Sequence, residues 1–599
     1  MLDRTSCLYS LEPTSPDGAG YGGSDFKVAP TAEKRGWLRP LTAPVDIASL
    51  VLFRIGFGAL ILFFQVWRYL DRGKLAQVYI EPKLHFTYYG FEWVRPWPGV
   101  GMYIHLAVLA AAAAGVMLGL WYRVSAVLLF LTWTYIFLLD QIAYNNHYYL
   151  LSLIGFLMIF IPAHRAVSID AWRRPAIRSD WVPRWSVWLI RAQIGIVYFY
   201  GGLAKIDADW LRGSPLHQWA EDRTTWKIIG SGAAKAWSAY GIAYSGLVLD
   251  LFIVPLLIWR RTRVMAFMAA LLFHVSNSQL FVIGIFPWFM IAATTMFFAP
   301  DWPRRLLRRI RPRSAYGTPR PLDPAAMVHS HRPLALVGVF MALQLLVPFR
   351  HHLYPGNPSW TEEAHLFSWR MMLRQKDALA RFFVTNRKTN ETIEVDAADY
   401  LHEQWVRQMS GIPEHILEFS RYLRDKFGGD GIEVRVVAYA SLNGREPELL
   451  IDPTVDLATK QRSWKPFDWL MPQTEPLPTP EEQRRRGYRD DPLPVVKGTP
   501  RGQDMDAMIP LFIQQLRREP NLRILYLTDT IFTDAGLAFL EGLDGLEALD
   551  LSGTQVSDAG IRYLETLRNL RVLNVTGTGI TDAGEQELKQ AMPGLRINR

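Results

Sequence analysis

The chain has 599 residues, half of them hydrophobic, with 22 Trp and 31 Phe, a length that calls for two to four domains rather than one. Lys and Arg exceed Asp and Glu by 65 − 56 = 9, but the arginines lie between apolar runs, where membrane topology explains them and nucleic-acid binding does not. Cys7 is the only cysteine, which excludes an intrachain disulfide and a thiolate metal cluster.

Residues 1–47 are polar, with no apolar h-region and no cleavage-site pattern, so membrane entry is expected to rest on the first spanning segment. A spanning helix takes about 20 apolar residues. Runs at 48–67, 101–121, 124–140, 147–163, 186–204, 243–259, 264–282, 283–300 and 334–350 qualify, so 48–350 is predicted to be an α-helical multi-pass bundle of eight or nine segments. The seventh and eighth adjoin with no polar break, which leaves room for a broken or re-entrant segment. With a cytoplasmic N-terminus and nine passes, the arginine clusters at 165–184, 260–263 and 304–332 all fall inside. Residues from 351 onward then lie outside, as expected of a protein in the lipid bilayer of a bacterial inner membrane.

Beyond 351 the periodicity changes. Segments 381–385, 392–395 and 432–440 alternate or are β-branched, as strands do, and 396–427 reads as helix. An extracytoplasmic α+β domain with β-sandwich character is expected over 351–473. Residues 474–503, rich in Pro, Arg and Glu, are expected to be a linker. From 504 to 599 the chain repeats. Leu522, Leu546 and Leu570 are spaced by 24, as are Thr530, Thr554 and Thr578, Asp534, Asp558 and Asp582, and Gly536, Gly560 and Gly584. This is the period of leucine-rich repeats, each with a short strand and a helix. So short an array needs caps or docking onto a neighbour, and it serves either to bind a protein partner or to stabilise the rest of the chain.

Polar groups inside spanning segments are costly and mark function by default. Asn145, Asn146 and His147 open the fourth segment, where the plain reading is a helix cap and the other is a holder for a polar ligand. The string from Tyr198 to Trp210 ends the fifth segment with Gly201, Gly202, Lys205, Asp207 and Asp209. A snorkelling lysine paired to a carboxylate is the plain reading; a partly desolvated amine acting as a base is the functional one. The two glycines allow a ligand or a second helix to come close. His274, Asn277 and Gln279 fall within two turns of the seventh run, where interhelical hydrogen bonds are the plain reading. No metal site is expected, because the histidines lack ligand spacing and the adjacent side chains of His351 and His352 are expected to point apart. A Walker-type loop and a Gly-x-Ser-x-Gly elbow are both missing.

Four strings in order, Asn-Asn-His at 145–147, Val-Tyr-Phe-Tyr-Gly-Gly-Leu-Ala-Lys-Ile-Asp-Ala-Asp-Trp at 197–210, Phe-His-x-x-Asn-Ser-Gln-Leu-Phe-x-Ile-Gly-x-Phe at 273–286 and Phe-Ser-Trp-x-Met-Met at 367–372, carry a likeness. Over residues 40 to 475 the chain resembles the vitamin K-dependent gamma-glutamyl carboxylase family. The resemblance implies a quinol oxygenase that takes reduced vitamin K, phylloquinol or menaquinol, with O2 to the epoxide, and a carboxylase that adds CO2 to glutamate of an exported protein. It implies Lys205 as the base that deprotonates the quinol, with His147 and Asn146 orienting the quinone and its anion. Tyr198, His274 and Asn277 are implied in the same cavity, and His351, Trp360 and Trp369 near the glutamate site. Two departures stand out: one cysteine cannot make the disulfide of the animal members, and Arg370 stands where they carry an acidic residue. Beyond 475, linker and repeats replace the family's sequence. A quinol epoxidase without carboxylation, and a non-catalytic membrane scaffold acting through its repeats, are the alternatives.

Overall fold

A computed structural model describes residues 39–222, 233–281, 283–310, 334–445, 447–482, 495–497, 522, 524–527 and 532–598. Most of the polar segment 1–47, most of the linker 474–503, Thr530 and the arginines from 311 to 332 lie outside the described residues.

The first part is a helical bundle. In chain order it contains α1 (Ala48–Leu70), α2 (Gly101–Leu118), α3 (Tyr122–Leu138), α4 (Asn146–Phe160), α5 (Trp185–Ala204), α6 (Ala233–Ile258), α7 (Arg263–Leu280), α8 (Phe286–Thr294), α9 (Trp302–Ile310) and α10 (Leu334–Leu346). Among the described residues, five stretches are long and apolar enough to cross a membrane: α1, α2, α5, Trp237–Ile258 within α6, and Leu334–Leu353. The apolar helices α3, α4 and Phe286–Phe297 are shorter. The seventh and eighth runs are two helices that pack on each other, broken at Phe281–Ile285 where Gly284 takes φ +57°, a left-handed turn that glycine adopts without strain.

The N-terminal end of α1 gathers the arginine-bearing loops. Strand β1 (Pro44–Asp46) pairs antiparallel with β2 (Trp181–Pro183), and Ser49 N–H donates to the Pro300 carbonyl. Arg304 of α9, 2% exposed, is held by Asp46 and by Asp180 at 2.8 Å. Arg54, fully buried, satisfies the carbonyls of Ala163 and Val167 at 3.0 and 2.6 Å. Such buried cations require these partners, because a lone one in an apolar interior costs several kcal/mol, roughly.

At the opposite end the bundle carries an α+β domain. Its sheet has the order β4 (Glu391–Val395), β3 (Lys376–Asn386), β5 (Ile432–Leu442), β6 (Glu448–Leu449), all antiparallel, with α11 (Glu403–Ser410) and α12 (Pro413–Phe427) following β4 in the chain. Alternation sorts the two faces. Phe382, Val384, Val434 and Val436 pack on Ile416, Leu417 and Phe419 of α12, while Phe383, Val437 and Tyr439 point the other way. Polar bonds tie the domain to the bundle: Thr87 donates to Glu418 at 2.7 Å, Gln141 to Glu414 at 3.2 Å, and the Phe367 N–H to Tyr144 at 2.8 Å.

The repeats form a parallel sheet, β7 (Val495–Lys497), β8 (Ile524–Tyr526), β9 (Ala548–Asp550), β10 (Val572–Asn574) and β11 (Arg596–Asn598), in sequential order. Strand β7 falls inside the segment expected to be linker: a three-residue Val-Val-Lys stretch was hidden by the Pro- and Arg-rich composition around it. The 24-residue period has a structural cause. The Asp534 carboxylate accepts from the N–H and hydroxyl of Ser557 one repeat later, and Asp558 does the same for Thr581. A Cβ on Gly560 would come 2.5 Å from Asp534 Oδ1, so the glycine makes room for the preceding aspartate.

The face of the α+β sheet turned away from its helices packs on this parallel sheet. Phe383, Val437, Tyr439 and Leu449 meet Ile524, Tyr526, Ala548 and Val572 in one apolar cluster. The sandwich character expected of 351–473 therefore takes a different form. That domain has one sheet of its own, and the second strand layer is supplied by the repeats.

Candidate functional site

A cavity of about 310 Å³, at the size of small-molecule sites, opens where the bundle meets the α+β domain. Its wall draws on α5 and its end (Tyr198, Lys205), α6 (Gly246, Asp250), α7 (Phe273, His274, Asn277), α8 (Phe286, Met290) and the start of α4 (Asn146, His147). Trp210, Trp219, Arg370, Met371 and Met372 close it from the side of the α+β domain. Three stretches of polar residues far apart in the chain thus converge on one space.

Lys205 caps the C-terminal end of α5 and is 7% exposed. Its ammonium donates to Asp250 Oδ2 at 2.7 Å and to the Gly201 carbonyl at 3.1 Å, and lies 5.5 Å from the Trp210 ring centre. It is therefore not a snorkelling residue. Nor do its chain neighbours Asp207 and Asp209 pair with it. Asp207 caps the short helix Ala208–Leu211, accepting from the Asp209 and Trp210 N–H groups, and Asp209 is bound by Arg445 and Asn443. The glycine pair serves a second helix: a Cβ on Gly202 would meet the backbone and side chain of Leu251 at 2.8–2.9 Å, and Gly201 faces Asp250. Close approach of α6 to α5 is what brings Asp250 to Lys205.

Tyr198 and His274 share a hydrogen bond of 2.7 Å between their hydroxyl and Nε2, so the interhelical reading of His274 holds, and both also line the cavity. His274 Nδ1 is buried without a hydrogen-bond partner in the structure, a polar atom still available to a ligand. Asn145 makes no side-chain cap for α4; its amide donates to the Ala143 carbonyl, and Asn146 accepts from Tyr144 at 2.9 Å. His147 rests between Tyr148 and Phe286, at ring-centre distances of 4.6 and 6.1 Å. The polar atoms thus border a box of Phe273, Phe281, Phe286 and Met290.

His351, Trp360 and Trp369 do not line this cavity. Trp360 belongs to the core of the α+β domain, donating to the Met471 carbonyl at 2.8 Å with the Lys376 ammonium over its ring. Burial draws that ammonium down to about 8. Trp369 is fully buried against Tyr149. His351 binds the Pro348 carbonyl through Nδ1, and its ring lies 4.1 Å from that of His352. The two rings were expected to diverge; the 3-10 turn Val347–Leu353 brings them together.

Sequence reasoning passed over Asp250, though a signal was there: it is the one charged residue in the run 243–259. A second cavity of about 400 Å³ lies alongside, sharing Asn145 and Asn146 with the first and lined also by Arg350, Lys465, Glu363, Glu414 and the Arg374–Glu362 pair.

Residues 42–302 match the family model of the HTTM domain. Residues 329–476 match that of the vitamin K-dependent gamma-carboxylase lumenal domain, and 546–564 and 566–588 match leucine-rich repeats. No solved structure matches the chain.

Proposed function

The chain belongs to the vitamin K-dependent gamma-carboxylase family, and on that premise we propose that it is a membrane enzyme coupling quinol oxygenation to glutamate carboxylation. The substrates are a reduced vitamin K-type quinol (phylloquinol or menaquinol), O2, CO2 and a glutamate of an exported protein. The products are the quinone epoxide, water and the carboxylated glutamate. The observation that carries the reading is the convergence of Lys205, Asp250, His147, Asn146, Tyr198, His274 and Asn277 on one cavity walled by phenylalanines.

The quinol supplies what no side chain can, since its oxygenation by O2 yields a base strong enough for the very weakly acidic γ-carbon of glutamate. The chain's residues need only manage the first proton. Lys205 passes one proton across 2.7 Å to Asp250, and its free amine then takes the quinol hydroxyl proton. The pair moves from neutral to a single positive charge, which balances the negative charge left on the ring oxygen. Amide and imidazole N–H groups of Asn146 and His147 hold that oxygen. Phe273, Phe281, Phe286, Met371 and Met372 keep water out. The neighbouring cavity offers Arg350 and Lys465 to the carboxylate of the glutamate, in a wall that also holds Glu362, Glu363 and Glu414, with Arg374 paired to Glu362. In this reading α1 to α8 and α10 make nine passes, the end carrying Arg54 and Arg304 faces the cytoplasm, and residues beyond 351 lie outside.

Protein in nanodiscs, given each quinol under air, is assayed for epoxide by chromatography, with and without a glutamate peptide and bicarbonate. Lys205→Ala runs beside it. Epoxide from the wild type that disappears in the variant supports the base; dependence on peptide and bicarbonate separates a carboxylase from a simple epoxidase. No epoxide from well-folded protein with any quinol would sink the catalytic reading.

A further inference from the structure

The repeats reach the cavity through a chain of charged groups. Arg596, in the last strand of the repeat sheet, donates to Glu448 at 2.8 Å and to Glu475 at 2.6 Å. The Glu448 carboxylate in turn binds the Thr474 and Glu475 backbone N–H groups, at 2.9 and 3.0 Å, fixing the segment that carries Glu475. The Glu475 carbonyl accepts from Arg445 Nε at 3.0 Å. The rest of the Arg445 guanidinium grips Asp209 with two bonds of 2.6 and 2.8 Å, in a site where both side chains are 9% exposed. Asn443 adds a third bond to Asp209 at 2.8 Å. Asp209 and Trp210 sit side by side on the short helix just past Lys205, with the Trp210 ring beside the Lys205 ammonium. The same Asn443 accepts from the Gln375 N–H, and the Gln375 side chain accepts from Trp219, another residue of the cavity wall.

The apolar seal between the two sheets gives this chain its anchor. Tyr526 and Ile524 of the repeats cover Phe383 and Tyr439, and the Arg381 guanidinium lies 4.9 Å from the Tyr526 ring centre. The sheet surface by which such an array could have received a partner is thereby used within the chain.

We propose that Arg596, Glu475, Arg445 and Asp209 form a positioning relay, through which the seating of the repeats on the lumenal sheet holds the Lys205–Trp210 turn in place. Bidentate Arg445–Asp209 contact at a buried site makes a rigid link, and Glu475 connects it to the repeats. The relay makes the repeats a brace of the membrane site. Its catalytic meaning rests on Lys205 being the base, so the deciding readout is independent of turnover.

Hydrogen exchange is measured on the full chain in nanodiscs for wild type, Arg445→Gln, Arg596→Gln and a control, Lys589→Gln, whose half-exposed side chain pairs with Glu585 four residues back on its own helix and takes no part in the relay. Loss of a charge-assisted bond is expected to speed exchange of the 205–214 amides about tenfold in Arg445→Gln and about threefold in Arg596→Gln, with no change in the control. Arg596 is about one-third exposed (36%), so its variant folds and decides the matter even if Arg445→Gln does not. Faster exchange confined to the repeats and to 448–475 in Arg596→Gln, with 205–214 unchanged, overturns the relay and leaves the repeats as a stabilising cap. If the wild type makes epoxide, Arg596→Gln lowers kcat severalfold at unchanged KM for the quinol. A raised KM at unchanged kcat overturns the positioning role, whereas an inactive wild type bears on the proposed function alone.

Discussion

The Lys205–Asp250 pair can be tested for structure and for chemistry in one set of variants: Lys205→Met, Asp250→Leu and the double change. Both side chains are less than a tenth exposed, and they meet at 2.7 Å between α5 and α6. Removing one partner leaves a buried charge alone, which costs about 3–5 kcal/mol. Lys205→Met leaves the Asp250 carboxylate without its cation; Asp250→Leu leaves the ammonium only the Gly201 carbonyl. The double variant removes both charges in favour of apolar groups of similar shape, and such replacements are often neutral, within about 1 kcal/mol. The two single losses sum to about 6–10 kcal/mol, so the cycle should show a coupling of about 5 kcal/mol or more. Equilibrium unfolding in mixed micelles of rising SDS content reads the stabilities, and epoxide formation reads the chemistry. Stability should return in the double variant while activity should not. Additive losses, with coupling below about 0.5 kcal/mol, would refute the buried pair and the proton transfer built on it. An active double variant would remove Lys205 from the role of base.

Three further outcomes follow from the geometry. Burial pushes the Glu418 carboxyl up to about 7 from an ordinary 4.5, so its acid form is favoured in the folded chain. Its contribution is full below pH 4.5 and is lost as pH rises to about 7, a span worth about 3 kcal/mol; thermal unfolding at pH 5 and pH 8 should show that fall in wild type and a flatter profile in Glu418→Gln. Gly202→Ala should destabilise the α5–α6 contact by about 1–3 kcal/mol, because its Cβ meets the Leu251 backbone. Gly246→Ala, inside α6 with its nearest neighbour 3.8 Å away, should not destabilise and should raise the melting temperature slightly, since alanine favours a helix over glycine by up to about 1 kcal/mol. Arg304→Gln strands Asp46 and Asp180 in a buried site and should cut the yield of folded protein at the arginine-bearing end; unaltered melting would show that the triad carries no stability.

The cavity was partly legible because polar residues are rare in apolar runs: the strings around His147, Lys205 and His274 each stood out, and all three line it. What did not show was pairing. Asp207 and Asp209 follow Lys205 so closely that they draw the eye, but the chain turns away at Asp207, and the true partner comes from α6, 45 residues on. His351, Trp360 and Trp369 rested on family resemblance alone, and their own surroundings are a 3-10 turn and two packed cores. The repeat period was fully visible, since the Asp-to-Ser/Thr ladder forces it. Docking of the repeats was not. Phe383, Val437 and Tyr439 alternate as in any half-buried strand, and alternation does not name what covers the second face.

That second face also bears on how the protein can be taken apart. A fragment ending near 476, where the family match stops, would present Phe383, Val437, Tyr439 and Leu449 to water, next to the two-residue edge strand β6. Such a greasy patch beside an open edge invites self-association. Solubility of an excised α+β portion should therefore depend on carrying the chain through to Asn598, so that the aggregation hazard is buried by the same residues that bury it in the intact protein.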